Sequence, residues 1–222
     1  MISVVDVETS WQVTETGGYD PSPFHPDNIL VSVGINDEYY FTNHSEKVDK
    51  GCYDKIQSLL DKTTLLVGHN IKFDLMWLLE SGFKYNGRVY DTMLGEYILN
   101  RGIRKSLTLE MCCRRRRIGS KDNRIKEFTD RGIPFQNIPH NVVEEYGRMD
   151  VQITRDLFNS QMADFKMPKY KHLLMTAKMM NEFLVVLSDM ERNGININLE
   201  DLYKVEKEYR AEFAYLKQKI DK

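Results

Sequence analysis

The 222-residue chain sets 31 Lys and Arg against 33 Asp and Glu, a net charge of −2, which excludes a uniformly basic nucleic-acid coat and makes any polyanion site local. Its 41% hydrophobic and 29% charged composition supplies enough apolar mass for a sizeable core and excludes wholesale disorder. No run approaches the ~18 apolar residues of a membrane span, no basic segment precedes the apolar N-terminus, and Cys52, Cys112 and Cys113 form no C-x-x-C pair, so the expectation is a soluble, unexported, intracellular protein with reduced thiols.

Residues 2–7 form a β-branched run that ends in carboxylates and read as a strand; 29–35 and 39–42, split by Asn36-Asp37, read as a hairpin. Between them, residues 14–28 are rich in Gly, Pro and Asp, a loop long enough to suggest function. Helical spacing of Ile56, Leu59 and Leu60 marks 52–62 as a helix. Strands at 64–67 and 88–90 then alternate with helices at 73–79 and 93–99, which predicts an α/β fold, a mixed sheet flanked by helices. From about residue 106 only helices are expected: 107–116, 141–162, 171–192 and 199–222. The last two read as a hairpin, with Gly194 ending the first helix, Asn198 capping the second, and Leu202, Val205, Tyr209, Phe213, Leu216 and Ile220 making one apolar stripe. Such a stripe, with little left to pack against, suggests a chain cut from something longer, the other choice being a dimerising hairpin.

Charge is uneven along the chain. Residues 101–131 hold 11 basic and 4 acidic residues, a surplus of +7 that leaves −9 elsewhere. The run Arg114, Arg115, Arg116 and Arg117 is either a solvated helix face or a track for a phosphate backbone.

Three acidic elements carry the chemistry. Asp6 and Glu8 lie two apart on the first strand and so share a face; carboxylates ending an otherwise buried strand are costly unless paired or bound to a cation. Asp74 follows the strand and turn that end in Gly68-His69-Asn70, and sits in the first turns of a helix, where the helix dipole alone would favour it. His69, lacking a partner at metal spacing, reads as structural. Tyr146 and Asp150 lie four apart on one helix face. Each element alone is weak, but together they supply four hard oxygen ligands, a set suited to Mg²⁺ or Mn²⁺ and not to zinc.

Val5-Asp6-Val7-Glu8-Thr9, Asn70-x-x-x-Asp74 and Tyr146-x-x-x-Asp150 resemble, in order, the three exonuclease motifs of the DEDD superfamily, tyrosine subtype, as found in the proofreading 3′→5′ exonuclease of family A DNA polymerases. The histidine subtype is disfavoured by Glu145, which stands five residues before Asp150. The stretch from Tyr90-Asp91-Thr92-Met93 to Asn100 is similar to the helix after the fourth core strand of bacterial polymerase I, and the stretch from Val186 to Ile195 to the entry into the thumb, so the resemblance covers nearly the whole chain. Nothing resembles fingers or palm motifs. The resemblance implies a ribonuclease H-like exonuclease domain over 1–166 and a truncated start of the polymerase thumb over 167–222.

It also implies roles. Asp6, Glu8 and Asp150 would hold one of two Mg²⁺ or Mn²⁺ ions, Asp6 would bridge to the second, Asp74 would anchor that one through water, and Tyr146 would orient the attacking water. Thr9, Trp11, Asn70, Phe73 and the four arginines 114–117 would contact nucleic acid, with Tyr19 and Phe24 as further stacking candidates, while Asp91 would be structural. The partners implied are the 3′ end of single-stranded DNA and the missing polymerase domain of the same parent chain. No membrane is involved, and a monomer in the cytoplasm of a bacterial or phage-infected cell is expected. Rival readings are a ribonuclease D-like exoribonuclease and a catalytically silent nucleic-acid-binding module.

Overall fold

The computed structural model of the chain describes residues 1–103, 105–119 and 124–220. Arg104 and Lys121 of the basic segment, and Lys222 at the end of the expected last helix, lie outside the described residues. The strands are β1 (Ile2–Thr9), β2 (Gln12–Val13), β3 (Tyr19–Asp20), β4 (Leu30–Ile35), β5 (Glu38–Phe41), β6 (Leu65–Gly68) and β7 (Arg88–Asp91). The helices are α1 (Cys52–Asp61), α2 (Ile71–Glu80), α3 (Thr92–Leu99), α4 (Leu109–Arg116), α5 (Arg124–Thr129), α6 (His140–Lys166), α7 (Leu173–Asn193) and α8 (Leu199–Ile220), with one 3₁₀ turn at Phe135–Asn137.

Five strands form a mixed sheet, as the alternation of strands and helices predicts, in the order β5-β4-β1-β6-β7. β1 runs antiparallel to β4 and parallel to β6; β4–β5 is a hairpin, and β6–β7 is parallel. At the hairpin turn Asn36 takes a left-handed φ of 56°. Its side-chain oxygen accepts from the Val4 N–H at 2.9 Å, so an amide stitches the turn to β1. The loop at 14–28 departs from a plain connector, because β2 and β3 pair as a two-stranded ribbon. α5 has no counterpart in the sequence pattern, being short and polar with only Ile125 buried.

The two faces of the sheet have separate cores. Val5, Val7, Val33, Ile35 and Leu66 pack with Ile56 and Leu60 of α1 and Leu75 and Leu78 of α2. Val4, Val67 and Tyr90 pack on the other side with Val151 and Phe158 of α6. Each fully buried aliphatic side chain contributes about 1.5–3 kcal/mol, so these two layers hold the strand ends that carry the site. With Val5 and Val7 toward α1 and α2, strand alternation turns Asp6 and Glu8 toward α6.

Met1–Ser188 is one compact unit, and Asp189–Lys222 a second. Gly194 takes φ 68° at the end of α7, and the Asn198 side-chain oxygen accepts from the Glu200 N–H at 3.1 Å, the end and the cap expected. The apolar stripe of α8 faces solvent, since no residue of that helix is buried. Among the described residues no helix is long and apolar enough to cross a membrane.

Candidate active site

The parallel ladder between β1 and β6 pairs only Ile2, Ser3 and Val4, because β6 ends at Gly68. Beyond Val4, that edge of β1 meets no strand among the described residues, and α2 fills the gap. The Val7 N–H donates to Asp74 Oδ1 at 3.0 Å, which brings the second motif against the first. Asn70 starts α2 with a left-handed φ of 65°, and its N–H donates to Asp91 Oδ1 at 2.9 Å. Asp91 also caps α3 through the Met93 N–H at 2.8 Å, so its expected structural part is to seat two helix starts on one carboxylate. His69 bridges the Thr92 hydroxyl and the Leu107 carbonyl, which is the structural reading.

On the other side, β1 pairs Asp6 with Gly34 and Glu8 with Ser32, and the register shifts between Glu8 and Thr9, which pairs with Leu30. Such an irregularity re-aims the strand end where the two acids lie. The carboxylates feel one another. Burial, then the charge of Asp6, pushes Asp74 well above the usual carboxylate range, against the pull of the Val7 N–H. Burial, then Glu8, Asp150 and Asp6, pushes the Tyr146 phenol far up, and hydrogen bonding to Asp150 adds to this. Three acids from β1 and α6 therefore bear on one phenol through their charge, and Asp6 also bears on the fourth, Asp74.

Among the described residues no three His, Cys, Asp or Glu side chains already stand as a cage for an ion. The donor set nevertheless fits Mg²⁺ or Mn²⁺, being all hard oxygen and electrostatically crowded, and a cation would relieve that crowding. Asp74 and Asp150 are buried, at 4% and 3% exposure, in places where an unbalanced charge is costly.

Beside the acids, Trp11 meets Tyr19 edge-on at 5.4 Å and Phe135 at 6.4 Å, while Phe135 lies 6.2 Å from Tyr146. A cavity of about 240 Å³ is lined by Thr9, Trp11, Tyr19, Pro21, Thr129 and Phe135. Phe24 is exposed and does not line it. Phe135 escapes the sequence reading; its only signal is an aromatic in the short Ile-Pro-Phe-Gln segment before α6. Phe73 packs against the α1–α2 core and contacts Trp77 at 6.5 Å.

The arginine run divides. Arg114 and Arg117 are exposed, whereas Arg115 and Arg116 turn inward to the buried Glu96, at 3.3 and 2.7 Å. Arg116 also reaches Asp164 at 2.7 Å and the Ser160 hydroxyl at 3.0 Å on α6.

A 3′–5′ exonuclease family model, of the DNA polymerase A type, matches residues 14–163, a span that begins after Asp6 and Glu8 and includes Asp74, Tyr146 and Asp150. DNA polymerase I of Borreliella burgdorferi is 27% identical over 148 residues, which are 67% of this chain and 16% of that protein, so this chain spans only a small part of its relative's length. Among solved structures, the POL domain of Pol1 from M. smegmatis, in complex with DNA primer-template and dNTP, has a TM-score of 0.64 at 16% identity over 94% of this chain and 31% of its own. Brucella melitensis NrnC with bound Mg²⁺ has a TM-score of 0.61 at 14% identity, over 87% and 86%. The catalytic core of RRP6 from Trypanosoma brucei has 0.55 at 13%, over 82% and 45%. These likenesses establish the ribonuclease H-like fold, a mixed five-stranded sheet flanked by helices.

Proposed function

This chain belongs to the DNA polymerase A-type 3′–5′ exonuclease family, and from that premise we propose that it removes nucleoside 5′-monophosphates from single-stranded or frayed DNA 3′ ends as the proofreading part of a family A polymerase. The observation that carries the reading is that Asp74 of α2 accepts from the N–H of Val7, between Asp6 and Glu8, while the charges of Glu8, Asp150 and Asp6 all bear on the Tyr146 phenol. Asp6, Glu8, Asp74 and Asp150 would hold Mg²⁺ or Mn²⁺, Asp6 and Glu8 from β1, Asp74 from α2 and Asp150 from α6. Such ions, when bound, would supply charge stabilisation for a phosphoryl displacement.

The chain's own residues then divide the work. Tyr146 would orient the attacking water as a hydrogen-bonding group, its phenol pKa raised by burial and by the charges of Glu8, Asp150 and Asp6. The Trp11–Phe135 cavity would receive a terminal base splayed from its partner, since every base offers a π-face to an aromatic wall. Thr9, Asn70 and Phe73 would line the path of the strand, and Arg114 and Arg117 would meet its phosphates. In this reading residues 1–166 are the exonuclease domain, 167–222 begin the thumb, and the polymerase domain of the parent chain is the partner.

The test is a labelled single-stranded DNA, an RNA of equal length and a mismatched primer–template, each incubated with Mg²⁺ and with chelator. Stepwise 3′ shortening of DNA that stops in chelator is expected. Faster digestion of RNA would make the chain an exoribonuclease, and binding without digestion would make it a silent module.

A further inference from the structure

We propose that Tyr39, on β5, is a positioning residue for Tyr146 and Asp150, setting how far α6 stands from the two acids of β1. The inference rests on the reading that these residues form the nuclease centre. Tyr39 is buried and its hydroxyl ties two elements of the site together. It donates to the Val143 carbonyl of α6 at 3.3 Å and lies 2.8 Å from Ser32 Oγ. A phenol has one proton; with that given to Val143, the Ser32 hydroxyl is the donor in the second bond. Ser32 faces Glu8 in the β1–β4 ladder, and Val143 lies one turn before Gly147, the neighbour of Tyr146. One hydroxyl thus joins the position opposite the first motif to the turn that leads into the third.

The ring is fitted as closely as the hydroxyl. A Cβ on Gly147 would come within 2.5 Å of Tyr39 Cε2 and Oη, and one on Gly34, which faces Asp6, within 3.2 Å of Cδ2. Glycine on both sides lets helix and sheet close on the ring, and the Arg148 guanidinium lies 5.7 Å from its centre. Burial, then the charge of Glu8, pushes the phenol well up, in keeping with a hydroxyl that donates. A shift of α6 by a fraction of an ångström would move Tyr146 and Asp150 together relative to Glu8, and catalytic rates are sensitive to errors of that size.

The experiment compares Tyr39→Phe, Ser32→Ala and the double variant in the full chain, by kcat and KM on single-stranded oligonucleotide with Mg²⁺, thermal melting, and amide hydrogen exchange over 143–150. Each single variant should lose roughly tenfold in kcat at unchanged KM. The double should be no worse than the worse single, because both cut one link. Exchange over 143–150 should quicken while that of β6 stays as it was. A folded Tyr39→Phe protein with wild-type kcat and unaltered exchange overturns the proposal, as does a rise in KM alone, which would make Tyr39 a strand contact. Should Tyr39→Phe melt too low to assay, Ser32→Ala reads the link from its other end. A wild-type chain that degrades nothing sinks the nuclease reading instead, and the exchange data still decide whether Tyr39 fixes α6.

Discussion

Asp150 and Asp6 make the sharpest claim at the scale of single residues. Neither adds apolar packing, so Asp6→Ala should leave stability near that of the wild type and Asp150→Ala, which also loses its hydrogen bond to Tyr146, should change it by about 1 kcal/mol, while 3′→5′ hydrolysis falls by several decades in both, because electrostatic stabilisation is the largest catalytic term. Circular dichroism melts beside a gel assay check both halves. Tyr146→Phe keeps the ring against Phe135 and loses only the hydroxyl, so its single-turnover rate should drop at least roughly tenfold while oligonucleotide Kd holds. Equal losses in rate and affinity would make Tyr146 a packing residue. At this scale the sequence is readable where local geometry decides. Period two puts Asp6 and Glu8 on one face, and helical spacing joins Tyr146 to Asp150. Tyr39 and Phe135 stay hidden because their meaning lies in contacts made across the fold. The bond from Tyr39 to Val143 spans 104 residues, and no periodic signal reaches that far.

α4 shows what an element adds. As a string, four arginines are interchangeable; as a helix packed on α3 and α6, they are sorted by direction, two to solvent and two to Glu96. Arg114→Gln with Arg117→Gln should weaken single-strand binding and flatten the log–log salt dependence by about 0.7 for each phosphate left without its arginine, read from Kd across a salt series. Arg116→Gln should instead cost about 2 kcal/mol of stability in a denaturant melt, since the buried Glu96 loses its shorter ion pair while keeping Arg115. That network also sets an acid limit. Burial pushes the Glu96 carboxyl up, but the Arg116 guanidinium with Gln161 and Asn100 outweighs it, and the folded value lies below the ordinary one. The stabilisation is therefore complete above the unfolded-chain value and lost as pH falls through the folded one. Glu96→Gln should make the melting temperature less steep over that acid window. No pattern in the sequence tells which arginine meets an acid 20 residues upstream. The unexpected α5 and the β2–β3 ribbon are hidden for a related reason, since short polar elements owe their form to what they cover.

For the molecule as a whole, the mixed sheet flanked by helices follows from the alternation of strands and helices, whereas the burial of α7 and α8 does not follow from their amphipathic stripes. α8 has helical spacing and no buried side chain, so side-chain burial adds little to its stability. Its amides should exchange with deuterium orders of magnitude faster than those of β1 and β4, and equal protection would mean that its stripe is covered in solution. The half-paired first strand has a consequence for descent. Where β6 stops, the sheet closes its edge with the Asp74 carboxylate, so under the proposed function the Val7 N–H and the chemistry would depend on the same side chain. A lineage that gave up cleavage is free to discard Tyr146 and Asp150 but would fray β1 by discarding Asp74. In descendants that have lost activity, Asp74 should be the last of the acids to go, drifting to Asn, whose oxygen still accepts, before any apolar residue.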